Sequence, residues 1–112
     1  MVNIMLINEF TKEQDTYIFS HYLYKDRSGP LTFGPLWDYN LCFGAGISTT
    51  GTEDWNYSSR NSQLGWETRV FTRDLEFRQR FIDDWVELRR GHLSVEQWNA
   101  RIDRHAAPLL DR

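Results

Sequence analysis

The segment Gly34–Gly44, with the sequence GPLWDYNLCFG, places a single carboxylate, Asp38, at the end of an apolar run. Large aromatic residues flank Asp38 and glycine closes the segment. A carboxylate held by rigid neighbours at a strand end is well suited to bind a metal ion. Asp15 lies upstream, at the mouth of what we interpret as the same hairpin. The two carboxylates together indicate a metal-dependent phosphoryl-transfer site.

Length and composition restrict the class of protein. The 112 residues allow one small domain with a single core, and the 40% hydrophobic and 15% aromatic content exclude a disordered chain. The net charge of −3 and the lack of a basic run argue against nucleic-acid binding. Cys42 is the only cysteine, which excludes an intrachain disulfide and a cysteine-based zinc site.

The N-terminal segment predicts a helix over residues 1–11. Apolar side chains at Ile4, Leu6, Ile7 and Phe10 cover much of its surface, which is typical of a buried helix. The segment lacks the basic start and the cleavage site of a signal peptide, and it is too short to span a membrane. We interpret it as an element of a larger domain, and we expect its apolar side chains to form an exposed patch that drives self-association.

Residues 15–44 predict a hairpin that carries both aspartates. Residues 16–24 are rich in β-branched and aromatic side chains and predict one strand, residues 25–29 predict a turn, and residues 31–37 predict the second strand.

The turn gives an approximate register for this hairpin. Centred near Arg27, it places Tyr17 opposite Asp38 and Asp15 opposite Asn40. Opposed residues of antiparallel strands lie about 5 Å apart and diagonal ones about 7–8 Å. We therefore expect the carboxylates of Asp15 and Asp38 within about 10 Å of each other, close enough for one ion.

The rest of the chain predicts a long loop over 45–64 and a helical tail over 65–112. Asp74 can cap one helix, Gly91 can end it, and Ser94-Val95-Glu96-Gln97 is a capping box for the next. The predicted fold class is therefore α+β, a single partial domain in which a hairpin and a long loop precede the helices.

Apolar spacing in the tail predicts one shared helical core. Its expected members are Phe77, Phe81, Trp85, Leu88, Trp98 and Ile102. Pro108 should kink or end the last helix.

The motifs quoted above resemble those of the CotH family, the spore-coat and secreted CotH kinases, which form an atypical branch of the protein-kinase-like fold. The resemblance rests on Ile7–Lys12 (INEFTK), Asp15–Tyr17 (DTY), Tyr22–Asp26 (YLYKD) and above all on Gly34–Gly44. The tail is similar as well, at Trp66, Asp74–Phe77 (DLEF), Trp85–Gly91 (WVELRRG) and Leu93-Ser94. Together these motifs cover nearly the whole chain.

The resemblance implies roles for individual residues. Asp15 would be the catalytic aspartate that orients a hydroxyl, and Asp38 would hold Mg²⁺ or Mn²⁺ on the phosphates of ATP. Ser20 stands where kinases have an asparagine for a second metal, and its neutral hydroxyl is a weaker ligand. Glu13 replaces an asparagine that often precedes the catalytic aspartate by two positions in this family.

Two readings of the function follow. One is the C-terminal lobe of a secreted CotH-like kinase that transfers phosphate from ATP to Ser or Thr of a protein substrate. Because a kinase also needs an N-terminal lobe, this reading predicts that the chain is inactive by itself. The other is a non-catalytic module of a spore coat or cell surface, bound to a coat or surface protein. The plainer alternatives for the aspartates are that Asp38 caps a loop and that Asp15 starts a strand.

Overall fold

The computed structural model describes residues 1–15, 17–45, 55–58 and 65–110. Within these residues the protein has four α-helices, two short 3₁₀ helices and one two-stranded antiparallel hairpin. The fold class is α+β, as predicted. The chain divides into two compact units, Met1–Arg78 and Gln79–Arg112, and the first contains both aspartates.

Helix α1, Val2–Thr11, is the main helix of the first unit, and Lys12, the residue that follows it, has φ 55°. Its first half buries apolar side chains, including Met5 and Leu6. Its second half buries polar ones, and these are Asn8, Glu9 and Thr11. The helix is therefore buried as its apolar pattern predicted, but half of its buried side chains are polar.

The prediction of an exposed apolar patch on this helix is wrong for Leu6, which is only 6% exposed. Ile4, Ile7 and Phe10 are half-buried. Ile4 and Ile7 lie along an open groove beside the hairpin, where the exposed apolar residues are Met1, Leu31 and Leu36. The exposed apolar surface of this groove thus lies mainly on the hairpin and the segment after it.

The hairpin is much shorter than the sequence predicts. Strand β1 is Leu23–Tyr24 and strand β2 is Thr32–Phe33, paired with Leu23 opposite Phe33. A hydrogen bond from the Gly29 N–H to the Asp26 carbonyl, at 3.2 Å, closes the turn.

The predicted register at the open end of the hairpin is therefore wrong. Residues 17–20 form turns rather than a strand, and β2 ends at Phe33, well before Asp38. The pairing does not reach Tyr17 or Asn40, so neither aspartate lies in the sheet. β-branched composition favours strands only where a partner strand is available, and here the local turn forms instead.

Three short elements follow the hairpin in the described part of the first unit, and the first of them is the 3₁₀ helix Tyr39–Leu41. The second 3₁₀ helix is Asn56–Ser58, and helix α2 is Trp66–Arg73. Most of the predicted loop 45–64 lies outside the described residues. Aromatic rings connect these elements, since the rings of Tyr57 and Phe71 lie 4.5 Å apart and those of Phe33 and Trp66 stack at 5.3 Å.

The helix boundaries of the tail follow the predicted caps. Helix α3 is Leu75–Arg90, and the Asp74 Oδ1 accepts the Phe77 N–H at 2.9 Å. Gly91 follows its last residue. Helix α4 is Val95–Leu110, with the Ser94 Oγ accepting the Gln97 N–H at 3.3 Å.

The predicted helical core is correct only in part. Phe81 is buried at 1% exposure, but Ile102 is 51% exposed and does not belong to a core. The remaining predicted members are half-buried, and these are Phe77, Trp85, Leu88 and Trp98. Pro108 lies inside α4, which continues to Leu110, so the proline does not end the helix. Within the described residues, no helix has the length and apolar character needed to cross a bilayer.

Candidate functional site

Asp15 begins a tight turn just after α1. Its carbonyl oxygen accepts the N–H groups of Ile18 at 2.9 Å, Phe19 at 2.8 Å and Ser20 at 3.4 Å. Residues 17–20 therefore form a turn. The alternative prediction, that Asp15 starts a strand, is wrong. Asp15 itself is half-buried, and its turn brings the backbone of Ser20 back toward it.

Asp38 has the left-handed backbone conformation, with φ 62° and ψ 49°, and its residue is exposed. It immediately precedes the first 3₁₀ helix, Tyr39–Leu41, yet among the described residues its side chain caps no N–H of that helix. Asp38 therefore does not cap this 3₁₀ helix with its side chain. A non-glycine residue in this conformation is uncommon and points to a specific local constraint.

Asn40 supplies one such constraint. With its amide oriented so that the nitrogen faces Asp38, Nδ2 lies 2.9 Å from the Asp38 Oδ1 and 3.2 Å from the Asp38 carbonyl oxygen. One carboxylate oxygen thus receives an amide hydrogen bond, and that bond orients the exposed carboxylate.

Contacts to α1 hold the turn that follows Asp38. The Tyr39 hydroxyl donates to the Oδ1 of the buried Asn8 at 2.6 Å, and the Phe43 N–H donates to the Thr11 carbonyl at 2.7 Å. The ring of Phe43 also meets that of Phe10 edge-on, with centroids 5.7 Å apart. Residues 39–43 therefore lie along the second half of α1.

The two aspartate-bearing turns lie on the same part of the first unit. Ser20, from the Asp15 turn, and Tyr39, next to Asp38, line one small cavity of about 10 Å³ together with Asn8. Both turns thus approach the C-terminal half of α1. The predicted proximity of the two carboxylates stays a prediction, now without the hairpin register that first motivated it.

A buried carboxylate, Glu9, supports the same end of α1. Its Oε1 accepts the Tyr17 hydroxyl and the Tyr57 N–H, each at 2.8 Å, and its Oε2 accepts the Asn56 N–H at 2.6 Å. Burial raises the pKa of Glu9, while these donors and Lys12 lower it. Burial, followed by the charge and the hydrogen bond of Glu9, also raises the pKa of Tyr17 strongly. Glu9 thus fixes both Tyr17 of the Asp15 turn and the second 3₁₀ helix.

A match over nearly the whole length of the chain identifies the family to which it belongs. A family model described as CotH kinase protein matches residues 1–110. The chain belongs to the CotH family. No curated protein and no solved structure matches the chain. The resemblance of the motifs to the CotH family predicts a catalytic role for Asp15, binding of the first metal ion by Asp38 and weak binding of a second metal ion by Ser20. These three roles stay predictions.

The residues present fit the metal that a CotH kinase would use. Mg²⁺ is usually bound through one or two carboxylates together with phosphate oxygens and water, and Asp38 offers an exposed, oriented carboxylate. The Ser20 hydroxyl is a further oxygen donor, but a weaker one. In the described part of the chain, no group of three or more His, Cys, Asp or Glu residues forms a site for a metal ion.

The sequence alone missed the burial of several polar residues that shape this region. Asn8, Glu9 and Glu13 are each no more than 2% exposed, although their polarity predicts exposure. A signal was available, because polar residues on the buried face of a helix usually satisfy backbone groups elsewhere. Their partners could not be identified, since the Glu9 acceptor and its Asn56 donor are 47 residues apart in sequence.

Proposed function

We propose that this chain carries the phosphoryl-transfer residues of a CotH-like protein kinase that moves the γ-phosphate of ATP to Ser or Thr of a protein substrate. The observation that supports the proposal is the exposure of Asp38, whose side chain caps no N–H of the following 3₁₀ helix and whose backbone is left-handed. The turn that contains it is hydrogen-bonded to α1 and lies beside the turn of Asp15. By family resemblance, we propose that the protein acts outside the cell, at the cell surface or in a spore coat.

Asp15 acts on the acceptor in this proposal. It accepts the hydroxyl proton of Ser or Thr while the hydroxyl oxygen forms its bond to the γ-phosphorus. The bond from that phosphorus to the β,γ-bridging oxygen breaks, and ADP leaves with the electron pair. Asp38 would hold a divalent ion, which would neutralise charge on the phosphates. Ser20 is the weaker candidate for a second ion.

Paired substitutions test the proposal by separating binding from chemistry. Asp38→Ala should abolish metal-dependent ATP binding in calorimetry with Mg²⁺ or Mn²⁺, because the phosphates lose their neutralising ion. Asp15→Ala should keep that binding and lower transfer by roughly 10²–10⁴-fold, measured in a protein that carries this chain together with an ATP-binding N-terminal lobe. Asp26→Ala, in the exposed hairpin turn, is the control and should change neither quantity.

The result that would overturn the proposal is normal ATP binding and normal transfer in both aspartate variants. The second candidate function, a non-catalytic coat or cell-surface module, would then stand. One observation favours that alternative, namely that a neutral serine, Ser20, occupies the position of the second metal ligand. Such a module would bind its partner equally well with and without ATP and metal.

A further inference from the structure

Two adjacent residues of α1, Asn8 and Glu9, each accept a hydrogen bond from a tyrosine hydroxyl that lies outside the helix. The Tyr39 hydroxyl donates to the Asn8 Oδ1 at 2.6 Å, and the Tyr17 hydroxyl donates to the Glu9 Oε1 at 2.8 Å. Asn8 and Glu9 are both 2% exposed, and Tyr17 is 1% exposed. Burying such polar groups is favourable only where hydrogen bonds compensate the loss of water, so these bonds belong to the packed interior of the first unit.

The two tyrosines belong to the two turns that carry the aspartates. Tyr39 directly follows Asp38 in the chain. Tyr17 lies two residues after Asp15, within the turn whose N–H groups donate to the Asp15 carbonyl. Each aspartate is therefore at most two residues away from a side chain that is hydrogen-bonded to α1.

The geometry of a helix lets two adjacent residues hold two separate turns. Consecutive side chains of an α-helix point about 100° apart around its axis. Asn8 and Glu9 therefore receive the two hydroxyls from different directions, although they share one rigid backbone. The two turns also meet beside this part of α1, since Ser20 and Tyr39 line one small cavity with Asn8. The position of one turn relative to the other thus depends on this pair of residues.

A tyrosine is a stiff connection between a turn and a helix. Its side chain has only two χ angles, so a hydrogen bond at the hydroxyl also restrains the backbone that carries the ring. The bond from Tyr17 to Glu9 is the stronger kind when the acceptor is ionised. On the other side, the left-handed backbone of Asp38 persists only where neighbouring contacts hold it, and the bond of Tyr39 is one such contact.

We propose that Asn8 and Glu9 are positioning residues that set the separation of Asp15 and Asp38, each by accepting the hydroxyl of the tyrosine in one of the two turns. The inference rests on the proposed function for the roles of the aspartates. Phosphoryl transfer depends mainly on positioning, and a misplacement of about 1 Å can lower the rate on the order of 10²-fold. Asn8 and Glu9 touch neither ATP nor the acceptor in this proposal and act through the two tyrosines.

The first test measures amide hydrogen exchange by NMR on the 112-residue chain. Substitution of each tyrosine by phenylalanine removes one hydroxyl and keeps the ring. Tyr17→Phe should make the amides of Ile18 and Phe19 exchange about tenfold faster, because their turn loses its bond to α1. Tyr39→Phe should have the same effect on the Phe43 amide, which donates to the last residue of α1 at 2.7 Å.

The selectivity of these changes decides the inference. Each variant should accelerate exchange in its own turn and leave the other turn unchanged. Thr68→Val is the matched control, because it removes a 2.8 Å hydrogen bond to the Tyr57 carbonyl elsewhere in the first unit, and it should accelerate neither turn. Equal acceleration of both turns by either phenylalanine variant would reveal a general loss of stability and overturn the inference. Exchange no faster than in the control would overturn it as well.

Substitutions on the α1 side of each bond keep the test decisive if a phenylalanine variant does not fold. Asn8→Leu removes the acceptor of the Tyr39 hydroxyl and should accelerate exchange at Phe43. Glu9→Gln keeps one acceptor oxygen, so exchange in the turn of Asp15 should increase by a factor smaller than about ten. Unchanged exchange at these positions would overturn the inference.

The second test measures the reaction in a protein that carries this chain together with an ATP-binding N-terminal lobe. Tyr17→Phe should lower kcat for transfer about tenfold and leave KM for ATP unchanged, because it displaces only the turn of Asp15. Tyr39→Phe should weaken Mg²⁺-dependent ATP binding about tenfold, because it displaces the turn of Asp38. Tyr24→Phe is the matched control, since it removes the same atom from an exposed residue of β1 and should change neither quantity.

Failure of this inference and failure of the proposed function give different results. If Asp15→Ala and Asp38→Ala behave as expected but the two phenylalanine variants of the turns equal Tyr24→Phe, the inference is overturned and the proposed function stands. If both aspartate variants bind ATP and transfer phosphate normally, the proposed function fails. The exchange rates would then still decide whether Asn8 and Glu9 fix the two turns.

Discussion

At the scale of single residues, the main feature of this protein is that carboxylates inside the first unit organise its backbone. Glu9 lies in the last part of α1 and Glu13 lies just after its end, and both are buried. Each accepts backbone N–H groups from segments that form neither helix α1 nor the hairpin. The N–H groups of irregular segments lack the regular backbone acceptors of helices and sheets. Buried side-chain oxygens therefore accept these hydrogen bonds instead.

The raised pKa of Glu9 predicts a specific pH dependence of stability. The unfolded chain releases this proton near pH 4.5, and the folded protein retains it to higher pH because of burial. The folded state therefore binds more protons in that window. The contribution of Glu9 to the free energy of unfolding is fully present below about pH 4.5 and is lost as the pH rises through the folded pKa.

Glu9→Gln tests this dependence by urea unfolding between pH 4 and 7, since glutamine cannot titrate. The stability of the wild type relative to the variant should be greatest at the acidic end and should decrease toward neutrality. Thr68→Val, which introduces and removes no titratable group, should show a difference that is independent of pH. A pH-independent difference for Glu9→Gln would contradict the raised pKa.

At the scale of elements, the sequence predicted the starts of the tail helices correctly and the lengths of the strands wrongly. Both long helices of the tail begin at the predicted caps, Asp74 and Ser94, because a cap is formed by residues within one turn of each other. The strands are two residues long in place of the predicted nine and seven. A strand needs a partner at every residue, and composition alone does not provide one.

Phe81 provides the element-scale prediction, because it is the buried aromatic residue of α3 at 1% exposure. Phe81→Ala should lower the free energy of unfolding by roughly 3–5 kcal/mol, through lost burial and the cavity left behind. Trp85 is half-buried, so the full loss for a buried aromatic does not apply to it. Chemical denaturation measures the effect.

The neighbouring Ile82 is the matched control for Phe81. It is 43% exposed, so Ile82→Ala should cost less than about 1 kcal/mol. If both alanine variants lost the same free energy, the assignment of Phe81 to the buried face of α3 would be wrong.

At the scale of the whole molecule, exposed apolar side chains occur around the hairpin of the first unit as well as on the helices of the tail. Leu31, Leu36 and Trp37 are 63%, 51% and 57% exposed. Two half-buried residues of α1, Ile4 and Ile7, lie in the groove beside the first two of them. Contiguous apolar surface of this kind favours association. The self-association predicted for α1 therefore stays a prediction, with the exposed residues of the hairpin added to it.

Light scattering over a range of protein concentrations measures this self-association. The apparent mass should rise with concentration in the wild type, and the double variant Leu31→Ser/Leu36→Ser should suppress the rise. Leu109→Ser on α4 is the control, since Leu109 is 69% exposed but lies in the second unit. A constant monomer mass in the wild type, or equal suppression by the control, would contradict the prediction.

The sequence by itself determined the CotH family, the α+β class and the ends of the tail helices. These features depend on local signals, since caps and helical periods involve residues only a few positions apart, and the Trp37-Asp38-Tyr39 motif is contiguous. The same local signals identified Asp15, Asp38 and Ser20 as candidates without any knowledge of their surroundings.

Only the tertiary structure decided how those candidates are held. The length of the strands and the burial of Glu9 and Glu13 depend on partners distant in the sequence. The bond from the Tyr39 hydroxyl to Asn8 joins residues 31 positions apart, and that from the Tyr57 N–H to Glu9 joins residues 48 apart. A polar residue in a sequence does not reveal whether such a donor will reach it, and burying it is favourable only when one does.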